Sequence, residues 1–496
     1  MSQDAPDTSQ LDPRLVKLYT EALHHQKQGN KSGALLAYRR LQSQFPDFAD
    51  GWINGSVVMA ELGRTEESLA MALRAVELAP DSPSAHCALA GPLMGMGRTP
   101  EAVEQFEKAI LLDPAHFPAL TNLAGIYVRR GEFQKAIQLD DRAIEAQPTS
   151  SALWGNRGHA RMRAMDLEGA EADLRRALEL DPDNHQVRWN LAYLQLLQGR
   201  FKEAWPNFRA RMKLDEWCDN RQSLGKPHWG GEPLDGKTLL VYTEQGYGDT
   251  LQFARFLPRL KKYGARVLLS TYPVLKRVLE CLPGIDALAV EGEPLPDYDC
   301  VVPIMELPVI LNVGIEDLAP LPPPQLPPSG TLPPVPELDR PGFKVGLVWA
   351  GSPAHSNDEL RSMSPAMLRG LADVPGARRV ERIAWYGLQK PAPVEPPDLP
   401  GFTDLSRHLG DFMDTARIAK RLDLVVTVDT SVAHLAGVLG LPAIVLLAFM
   451  PDWRWGLGET SPWYPSLTLL RQPAHGDWGS VIEMLKREIA GRIEQR

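Results

Sequence analysis

The pattern of hydrophobic and polar positions changes after about residue 214. Beyond residue 236, short aliphatic runs alternate with amphipathic stretches, and KTLLVYTE (237–244) and LDLVVTV (422–428) are two of these runs. A continuous apolar run of this length is typical of a buried parallel strand, and its alternation with amphipathic helices predicts βαβ units. The second half of the chain is therefore predicted to contain parallel sheets covered by helices.

The individual elements of this half can be assigned along the chain. The predicted strands are KTLLVYTE, RVLLST, DALAV and DCVVPIM, followed by FKVGLVWAG, RIAWYGLQ, LDLVVTV and PAIVLLA. The predicted helices are DTLQFARFLPRLKKYG (249–264), YPVLKRVLECL and the tail DWGSVIEMLKREIAGRIEQR. Nine prolines between Pro320 and Pro336 separate the two groups of strands, and this composition predicts an extended linker. Two small lobes with a cleft between them follow from this arrangement.

The first 214 residues show a repeat of 34 residues. Prolines mark it at Pro46, Pro80, Pro114, Pro148 and Pro182. Glycine and alanine keep the same interval, with Met165 and Ser68 as the exceptions. This period is that of the tetratricopeptide (TPR) repeat, in which glycine forms the turn, alanine allows close helix packing and proline ends the second helix. Six units fit between residues 13 and 214, and their stack would leave one concave surface for a protein partner.

One polar column shares this period. Asn54, Asn122, Asn156 and Asn190 all fall in the helix that lines the inside of such a stack. An asparagine side chain both donates to and accepts from a peptide backbone, so the column is a candidate site for an extended polypeptide. The alternative is that each asparagine caps a helix or bridges to the neighbouring repeat.

Composition narrows the class of partner. The 496 residues carry a net charge of −9, which argues against a broad nucleic-acid-binding face or an anionic membrane surface. The N-terminus has no apolar core of a signal peptide, and no run is long enough to span a bilayer. The four cysteines, at positions 87, 218, 281 and 300, have no CxxC spacing and are typical of a reducing cytosol. A cytoplasmic location is expected.

The first candidate site is the glycine loop TEQGYGDTLQFARF at 243–256. Gly246 and Gly248 let the backbone turn sharply and approach a ligand, and Asp249 follows at the start of a helix. Asp249 could act on a substrate, or it could simply cap that helix, where the dipole favours its charge. Capping explains Asp249 but not the Gly-x-Gly before it.

The second candidate is the polar loop WAGSPAHSNDELRSM at 349–363. It contains Arg361, whose planar guanidinium suits phosphate oxygens. A surface loop with a salt bridge is the alternative.

The third candidate is DTSVAHLAGVLG, where Asp429 ends a strand and a helix of small residues begins. Thr430 and Ser431 occupy the cap, and His434 lies on their face of the first turn. Free backbone N–H groups and the helix dipole make such an end an anion site. The small residues, including Gly437, would bring a ligand close. A core histidine beside a well-capped helix is the alternative.

Other chemistry has little support. The Asp297–Asp299 pair precedes a predicted strand in a turn-rich stretch and is interpreted as turn chemistry. No His, Asp or Glu cluster has metal spacing, so no metal site is expected. Neither GxSxG nor GxxxxGK[ST] occurs, so serine-hydrolase and P-loop functions are not indicated.

The strings EQGYGDTLQFARF, GLVWAGSPAHSNDELRSM, DFMDTARIAKRLDLVVTVDTSVAHLAGVLGLP and DWRWGLGETSPWYP resemble bacterial TPR-containing glycosyltransferases. The catalytic half of that group is of the heptosyltransferase-like GT-B type, and the layout is similar to O-GlcNAc transferase. The resemblance covers essentially the whole chain after residue 13. It implies an α + α/β fold: an all-α TPR superhelix followed by a GT-B fold of two Rossmann-like lobes.

The resemblance also implies a reaction, the metal-independent, inverting transfer of a sugar from a nucleotide-sugar substrate to an acceptor hydroxyl. Asp249 would be the general base, and the donor diphosphate would lie against Thr430, Ser431 and His434 with Arg361 as cationic partner. Four further residues match donor-side or cleft positions: Gln389, Lys390, Asp452 and Arg454. The acceptor would be a protein held by the repeats, flagellin or another surface protein being conceivable, or a polysaccharide or lipid-linked glycan. The alternative is a TPR interaction scaffold whose GT-B half binds nucleotide sugar without catalysis.

The expected domains follow from these boundaries. They are a disordered N-terminus (1–12), TPR repeats (13–214), a linker (215–236), an N-terminal lobe (237–319), a proline-rich inter-lobe linker (320–341) and a C-terminal nucleotide-sugar-binding lobe (342–496). The oligomeric state is left open.

Overall fold

The computed structural model describes residues 12–214, 224–318, 322–327, 334–355, 357–374, 383–391 and 395–495. Residues 1–11, for which disorder was predicted, lie outside the described residues, as do Cys218 and parts of both predicted linkers. The chain forms two compact units, Met1–Val187 and Arg188–Arg496.

The first unit consists of helices arranged in antiparallel pairs. Their bounds are α1 (Pro13–Lys27), α2 (Lys31–Gln44), α3 (Ala49–Glu61), α4 (Thr65–Leu78), α5 (Pro83–Gly95), α6 (Thr99–Leu112), α7 (Phe117–Arg129), α8 (Phe133–Ala146), α9 (Ser151–Arg163) and α10 (Leu167–Leu180). A sixth pair, α11 (His185–Leu197) and α12 (Phe201–Phe208), follows. The division between the units falls within α11, so the end of the repeat region packs as part of the second unit.

The turn inside each pair explains the glycine column. Gly29, Gly63, Gly97, Gly131 and Gly199 have φ between +70° and +76°, a conformation that costs glycine little. Met165 occupies the same position in the fifth pair and adopts φ +64° despite its side chain. The backbone geometry of the turn is thus kept where the glycine is lost.

The alanine column marks the close packing within each pair. Ala34, Ala102 and Ala136 are fully buried. Ser68, the exception, is also fully buried, and its hydroxyl donates to the Ser56 carbonyl at 2.8 Å. A small side chain whose one polar group is satisfied therefore replaces alanine without a buried unpaired hydroxyl.

The second unit contains two parallel sheets. The strands are β1 (Thr238–Tyr242), β2 (Arg266–Thr271), β3 (Ala287–Val290), β4 (Cys300–Pro303), β5 (Phe343–Val348), β6 (Ile383–Gly387), β7 (Thr403–Asp404), β8 (Leu424–Val428), β9 (Ala443–Leu447) and β10 (Leu467–Arg471). The first sheet has the order β3-β2-β1-β4, the second β10-β9-β8-β5-β6-β7, and every pairing is parallel. The predicted helical repeats followed by parallel sheets are confirmed.

Each sheet contains a point at which the strand order reverses. In the first sheet the chain moves outward from β1 to β3 and then returns to place β4 on the other side of β1. In the second it moves from β5 to β7 and returns to place β8 beside β5, with Val348 opposite Thr427. Ligands in open parallel sheets bind beyond the carboxyl ends of the strands at such points. The glycine loop leaves β1, and the loop with Arg361 and the stretch from Asp429 leave β5 and β8.

The helices of this unit that follow α12 are mostly short. They are α13 (Tyr247–Phe253), α14 (Lys276–Leu279), α15 (Leu307–Ile310), α16 (Asp358–Arg361), α17 (Phe412–Ala419), α18 (Ser431–Val438) and α19 (Trp478–Glu494). The single helix predicted over 249–264 is wrong in detail, because α13 ends at Phe253 and a 3₁₀ segment containing Pro258 continues to Tyr263. The predicted ending at Gly264 is present, with φ +73°. Two strands, β7 and β10, had no sequence prediction.

The end of the repeat region is tied to the first sheet by a buried ion network. Arg211, fully buried, donates to Glu306 Oε1 at 2.8 Å and to Glu244 Oε1 at 3.0 Å. Burial raises the pKa of Glu244, and Arg211 counteracts this effect. Trp205 of α12 also donates from its indole nitrogen to the Val313 carbonyl at 2.7 Å. Since Glu244 begins the glycine loop, α12 and the segment after it support that loop.

Among the described residues, no helix combines the length and apolar character needed to cross a membrane.

Candidate functional site

The glycine loop places Asp249 in the first turn of α13. One of its carboxylate oxygens, Oδ2, accepts a hydrogen bond from the Gly246 backbone nitrogen at 3.0 Å. Before this turn, Gln245 adopts φ +63°, and its carbonyl accepts a hydrogen bond from the Tyr272 hydroxyl. The capping role considered for Asp249 is therefore present. It uses only one of the two carboxylate oxygens.

The other oxygen of Asp249 connects the two lobes. Asp249 Oδ1 pairs with Arg454, which lies after β9 in the second lobe. Arg454 also donates from Nε to Gln252 Oε1 at 2.8 Å and from Nη1 to Asp452 Oδ1 at 2.8 Å. The side chains of Arg454 and Asp249 retain 12% and 16% exposure, so the pair is largely withdrawn from water without being sealed off.

The start of α18 faces the same loop. Thr430 is the N-cap: its hydroxyl accepts from Val432 N at 3.3 Å and is hydrogen-bonded to the Thr427 hydroxyl at 2.9 Å. Ser431 is half-buried at the first helical position. A Cβ atom on Gly248 would lie 3.5 Å from the Ser431 Cα and only 2.7 Å from Cδ2 of His434. Glycine at 248 is thus required for the two lobes to approach this closely.

His434 supports this helix from inside. It is 4% exposed, stacks on Trp455 at 5.0 Å between ring centroids, and shares a hydrogen bond of 3.1 Å between Nδ1 and the Tyr464 hydroxyl. Burial, with a smaller effect of Arg454, lowers its pKa to about 3, so the ring is neutral. The surroundings of His434 therefore match the alternative considered from the sequence, a core histidine beside a well-capped helix. The Tyr464 ring lies against Gly437, where a Cβ would be 2.3 Å from the ring, so this glycine accommodates a tyrosine rather than a ligand.

Asp429 follows β8 at the switch point of the second sheet. Burial, followed by the charge of Asp452, raises its pKa to about 6, while Arg361 and Arg454 oppose this rise. A carboxyl whose pKa lies near neutrality beside two guanidinium groups is a recognised mark of a functional site, although structural ion networks produce it too.

Arg361 lies in the loop after β5. Its Nε is 3.3 Å from Asp358 Oδ1, and its side chain is 18% exposed. The salt-bridge alternative is thus present, but the group is not on an open surface. His355 of the same loop has a pKa lowered by burial first and by Arg361 second, and it feels the charges of Asp452 and Asp249. The loop therefore lies beside the charged groups of both lobes.

Gln389 and Lys390 follow β6. Gln389 is 6% exposed, and its Oε1 accepts from the backbone nitrogens of Trp349 and Ala350 at 3.2 and 3.1 Å. Lys390 Nζ donates to the Ser406 carbonyl at 3.4 Å. Gln389 therefore holds the loop that leaves β5, and this contact links it to the site through the backbone.

The asparagine column is not uniform. Asn54 is buried and donates from Nδ2 to the Tyr19 hydroxyl at 2.9 Å, and Asn122 is hydrogen-bonded to the Cys87 thiol. Each of these bonds reaches the preceding repeat, as the bridging alternative predicts. Asn156 is exposed and Asn190 is half-buried. A peptide-binding role for this column stays a prediction, and Asn156 is the most accessible of its members.

Several residues of the site were missed from the sequence. Gln252, Trp455 and Tyr464 contact Arg454 or His434, yet glutamine in a helix and aromatic residues in a loop give no local signal. Asp299, which was interpreted as turn chemistry, instead makes a long-range contact between strands: its carboxylate accepts from Thr238 N at the start of β1 at 2.8 Å. Within the described ranges, no group of three or more His, Cys, Asp or Glu side chains is placed to bind a metal ion.

Comparison with known proteins identifies the repeats. A family model described as tetratricopeptide repeat matches residues 19–83, and one described as the C-terminal domain of cilia and flagella-associated protein 70 matches residues 94–216. The first half of the chain is therefore a TPR array, a scaffold for protein interaction.

One curated relative extends beyond the array. Protein FlbA of Caulobacter vibrioides (strain ATCC 19089 / CIP 103742 / CB 15) is 26% identical over 383 residues, covering 66% of this chain and 59% of FlbA. The chain thus spans less than two thirds of that protein. Because residues 1–214 make up less than half of this chain, the similarity reaches into the region of the sheets.

Two similar solved structures each cover little more than a third of this chain. A thermophilic TPR protein of Thermus thermophilus is 16% identical and covers 37% of this chain and 99% of its own, with a TM-score of 0.35. MamA (41-end) of Desulfovibrio magneticus RS-1 is 22% identical and covers 35% and 97%, with a TM-score of 0.30.

Proposed function

We propose that this protein is an inverting glycosyltransferase that transfers a sugar from a nucleotide-sugar substrate to a hydroxyl of a protein recruited by the TPR array. In this proposal the two parallel-sheet lobes are the halves of a GT-B fold. One observation supports it most: the glycine loop at the switch point of the first sheet lies against the start of α18 at the switch point of the second, with Gly248 beside Ser431. Asp249 of the glycine loop also pairs with Arg454, which follows β9.

The donor diphosphate would bind at the start of α18. The positive end of the helix dipole, the Ser431 hydroxyl and the guanidinium groups of Arg361 and Arg454 supply hydrogen-bond donors and positive charge. His434 is neutral and buried, so in this proposal it positions the helix. Gln389 holds the facing loop through its backbone.

The chemistry needs one base. The acceptor hydroxyl gives its proton to the Asp249 carboxylate as its oxygen bonds to the anomeric carbon. The bond from that carbon to the diphosphate oxygen breaks, the nucleoside diphosphate leaves with the electron pair, and the site stabilises its charge. Asp249 then releases the proton to water.

A second function is supported by a specific contact. Both oxygens of Asp249 already hold partners, which suits a lobe that binds nucleotide sugar without transferring it. In that case the chain is a TPR scaffold with a nucleotide-sensing domain. The two functions share the donor site and differ only in transfer.

The donor site is tested by Ser431→Asp. A carboxylate at the first position of α18 suits the helix dipole but repels a diphosphate. We expect the unfolding temperature to be kept and the stabilisation by UDP, GDP or CDP to be lost in a thermal-shift assay. Thr65→Asp places the same charge at the first position of α4 and should leave nucleotide stabilisation intact. No stabilisation of the wild type by any nucleotide would contradict the donor site.

Transfer is tested by Asp249→Asn. Loss of the base should lower transfer about 10²- to 10⁴-fold, measured by intact mass of candidate proteins co-expressed with each variant. Asp299→Asn removes one carboxylate just before β4, where it bonds to Thr238, and is the matched control. Unchanged transfer by Asp249→Asn would exclude this base, and absence of any mass shift with the wild type would favour the scaffold.

A further inference from the structure

Arg454 holds more partners than a single structural ion pair requires. Its guanidinium contacts Asp249 of the first lobe and Asp452 of its own lobe, and its Nε donates to Gln252. Gln252 is fully buried, and its Nε2 has no protein partner among the described residues. The side chain of Arg454 is still 12% exposed, so part of the group is in contact with solvent.

The same guanidinium lies close to the candidate anion site. Arg454 and Arg361 both act on Asp429, the residue that precedes the cap of α18. Each of these arginines is also paired with a carboxylate, Arg361 with Asp358 and Arg454 with Asp249 and Asp452. A diphosphate entering beside Asp429 would meet guanidinium groups that acidic side chains already hold.

We propose that Asp249 and the diphosphate of a bound nucleotide compete for the Arg454 guanidinium. Binding of the donor would draw Arg454 towards the phosphate oxygens and leave Asp249 Oδ1 for the acceptor hydroxyl. This inference rests on the proposed function. Arg454 then acts as a positioning residue, because Asp249 can accept the proton only after a bound donor has drawn Arg454 away from it.

The energetic consequence is a cost for binding. While Asp249 holds Arg454, only a fraction of molecules offers the guanidinium to phosphate, and the apparent affinity falls by that fraction. Removing the negative charge of Asp249 should therefore tighten diphosphate binding, whereas loss of a residue that merely shaped the site would weaken it or leave it unchanged.

Calorimetry with inorganic pyrophosphate tests the competition without knowledge of the nucleotide. Measured with EDTA present, Asp249→Asn should bind pyrophosphate about threefold to tenfold more tightly than the wild type. Arg454→Gln should weaken binding at least about tenfold, because one charge-assisted contact is lost. Asp299→Asn makes the same change of net charge away from the cleft and should match the wild type.

A double variant separates competition from a general change of the site. In the Arg454→Gln background, Asp249→Asn should give no gain in affinity, because the contested group is absent. An equal gain in both backgrounds, or no gain in either, would overturn the inference. If the wild type binds pyrophosphate and Asp249→Asn binds no more tightly, only the competition fails. If neither pyrophosphate nor a nucleoside diphosphate binds the wild type, the proposed function fails with it.

Discussion

The helical repeats and the parallel-sheet unit use their polar residues in different ways. In the repeats, buried polar groups serve packing: Ser68 bonds to a carbonyl of its own pair and Asn54 to a tyrosine of the preceding repeat. In the sheet unit, charged groups from several loops gather beside Asp429. The difference shows that a periodic fold spreads its polar contacts along the chain, while two switch points concentrate them.

The glycines of the two regions allow the largest test of this difference. Gly437→Ala in α18 places a Cβ 2.3 Å from the Tyr464 ring, whereas the nearest atom to a Cβ on Gly125 in α7 is 4.0 Å away, at the end of Arg129. We expect Gly437→Ala to lower the free energy of unfolding by about 1–3 kcal/mol through overpacking. Gly125→Ala should raise it by about 0.5–1 kcal/mol, since alanine favours the helix.

Urea unfolding followed by tryptophan fluorescence and by far-UV circular dichroism checks both variants. Equal effects of the two substitutions would show that Tyr464 does not fix α18. Because Tyr464 orients His434, Gly437→Ala should also weaken nucleotide stabilisation, which Gly125→Ala should not affect.

A buried acid in the repeats provides the next test. Asp140 is 2% exposed, and burial raises its pKa from 3.8 to about 7, despite the charge of Arg157. The folded protein therefore keeps a proton on Asp140 at pH values where the unfolded chain has lost it, and stability falls as pH rises from about 4 to about 7. Asp140→Asn should remove this loss. The gain from the substitution should be about 1–3 kcal/mol larger at pH 7.5 than at pH 5.

His159 acts in the opposite sense in the same region. Burial lowers its pKa to about 4, so stability due to His159 is lost as pH falls below 6.5. His159 is present in both the wild type and Asp140→Asn, so its contribution cancels when their free energies of unfolding are compared. A substitution effect at Asp140 that does not vary with pH would contradict the assignment.

The smallest expected effect concerns the irregular turn of the array. Met165 adopts φ +64°, where the other turns of the array have glycine. Met165→Gly should relieve a left-handed conformation that costs about 1–2 kcal/mol, and part of this gain is offset by the greater freedom of glycine in the unfolded chain. A rise of about 0.5–1 kcal/mol in the free energy of unfolding is expected, measured by the same urea unfolding. Destabilisation would mean that the methionine side chain contributes packing that outweighs the strain.

The sequence predicted the repeats well because each unit contacts mainly its neighbours, so the same constraints recur every 34 residues. The strands β1, β2, β5 and β8 were found because they are continuous apolar runs. The two-residue strand β7 is too short to show a pattern. The predicted helix at 249–264 was broken by Pro258, whose effect on the helix depends on the packing around it.

The sequence predicted where the backbone of the candidate site lies, but not the side chains that hold it in place. Asp249, Thr430 and Ser431 follow strand ends, so their positions can be read from element order. That Tyr464 fills the space beside Gly437, and that Arg454 reaches Asp249 across the lobes, depends on long-range contacts that no local pattern encodes. Gly437 of α18 illustrates this limit: it was predicted to make room for a ligand, whereas it makes room for the Tyr464 ring.

The buried Arg211 network limits how this array can change during evolution. Repeat proteins commonly gain or lose whole units, because each unit contacts only its neighbours. Loss of the array through Arg211 would leave Glu244 and Glu306 without their shared guanidinium, at a cost of several kcal/mol. Loss of α12 alone would already leave the Val313 carbonyl without the Trp205 indole. The sixth helix pair is therefore inherited with the sheets, and only the repeats that precede it are free to be exchanged as modules.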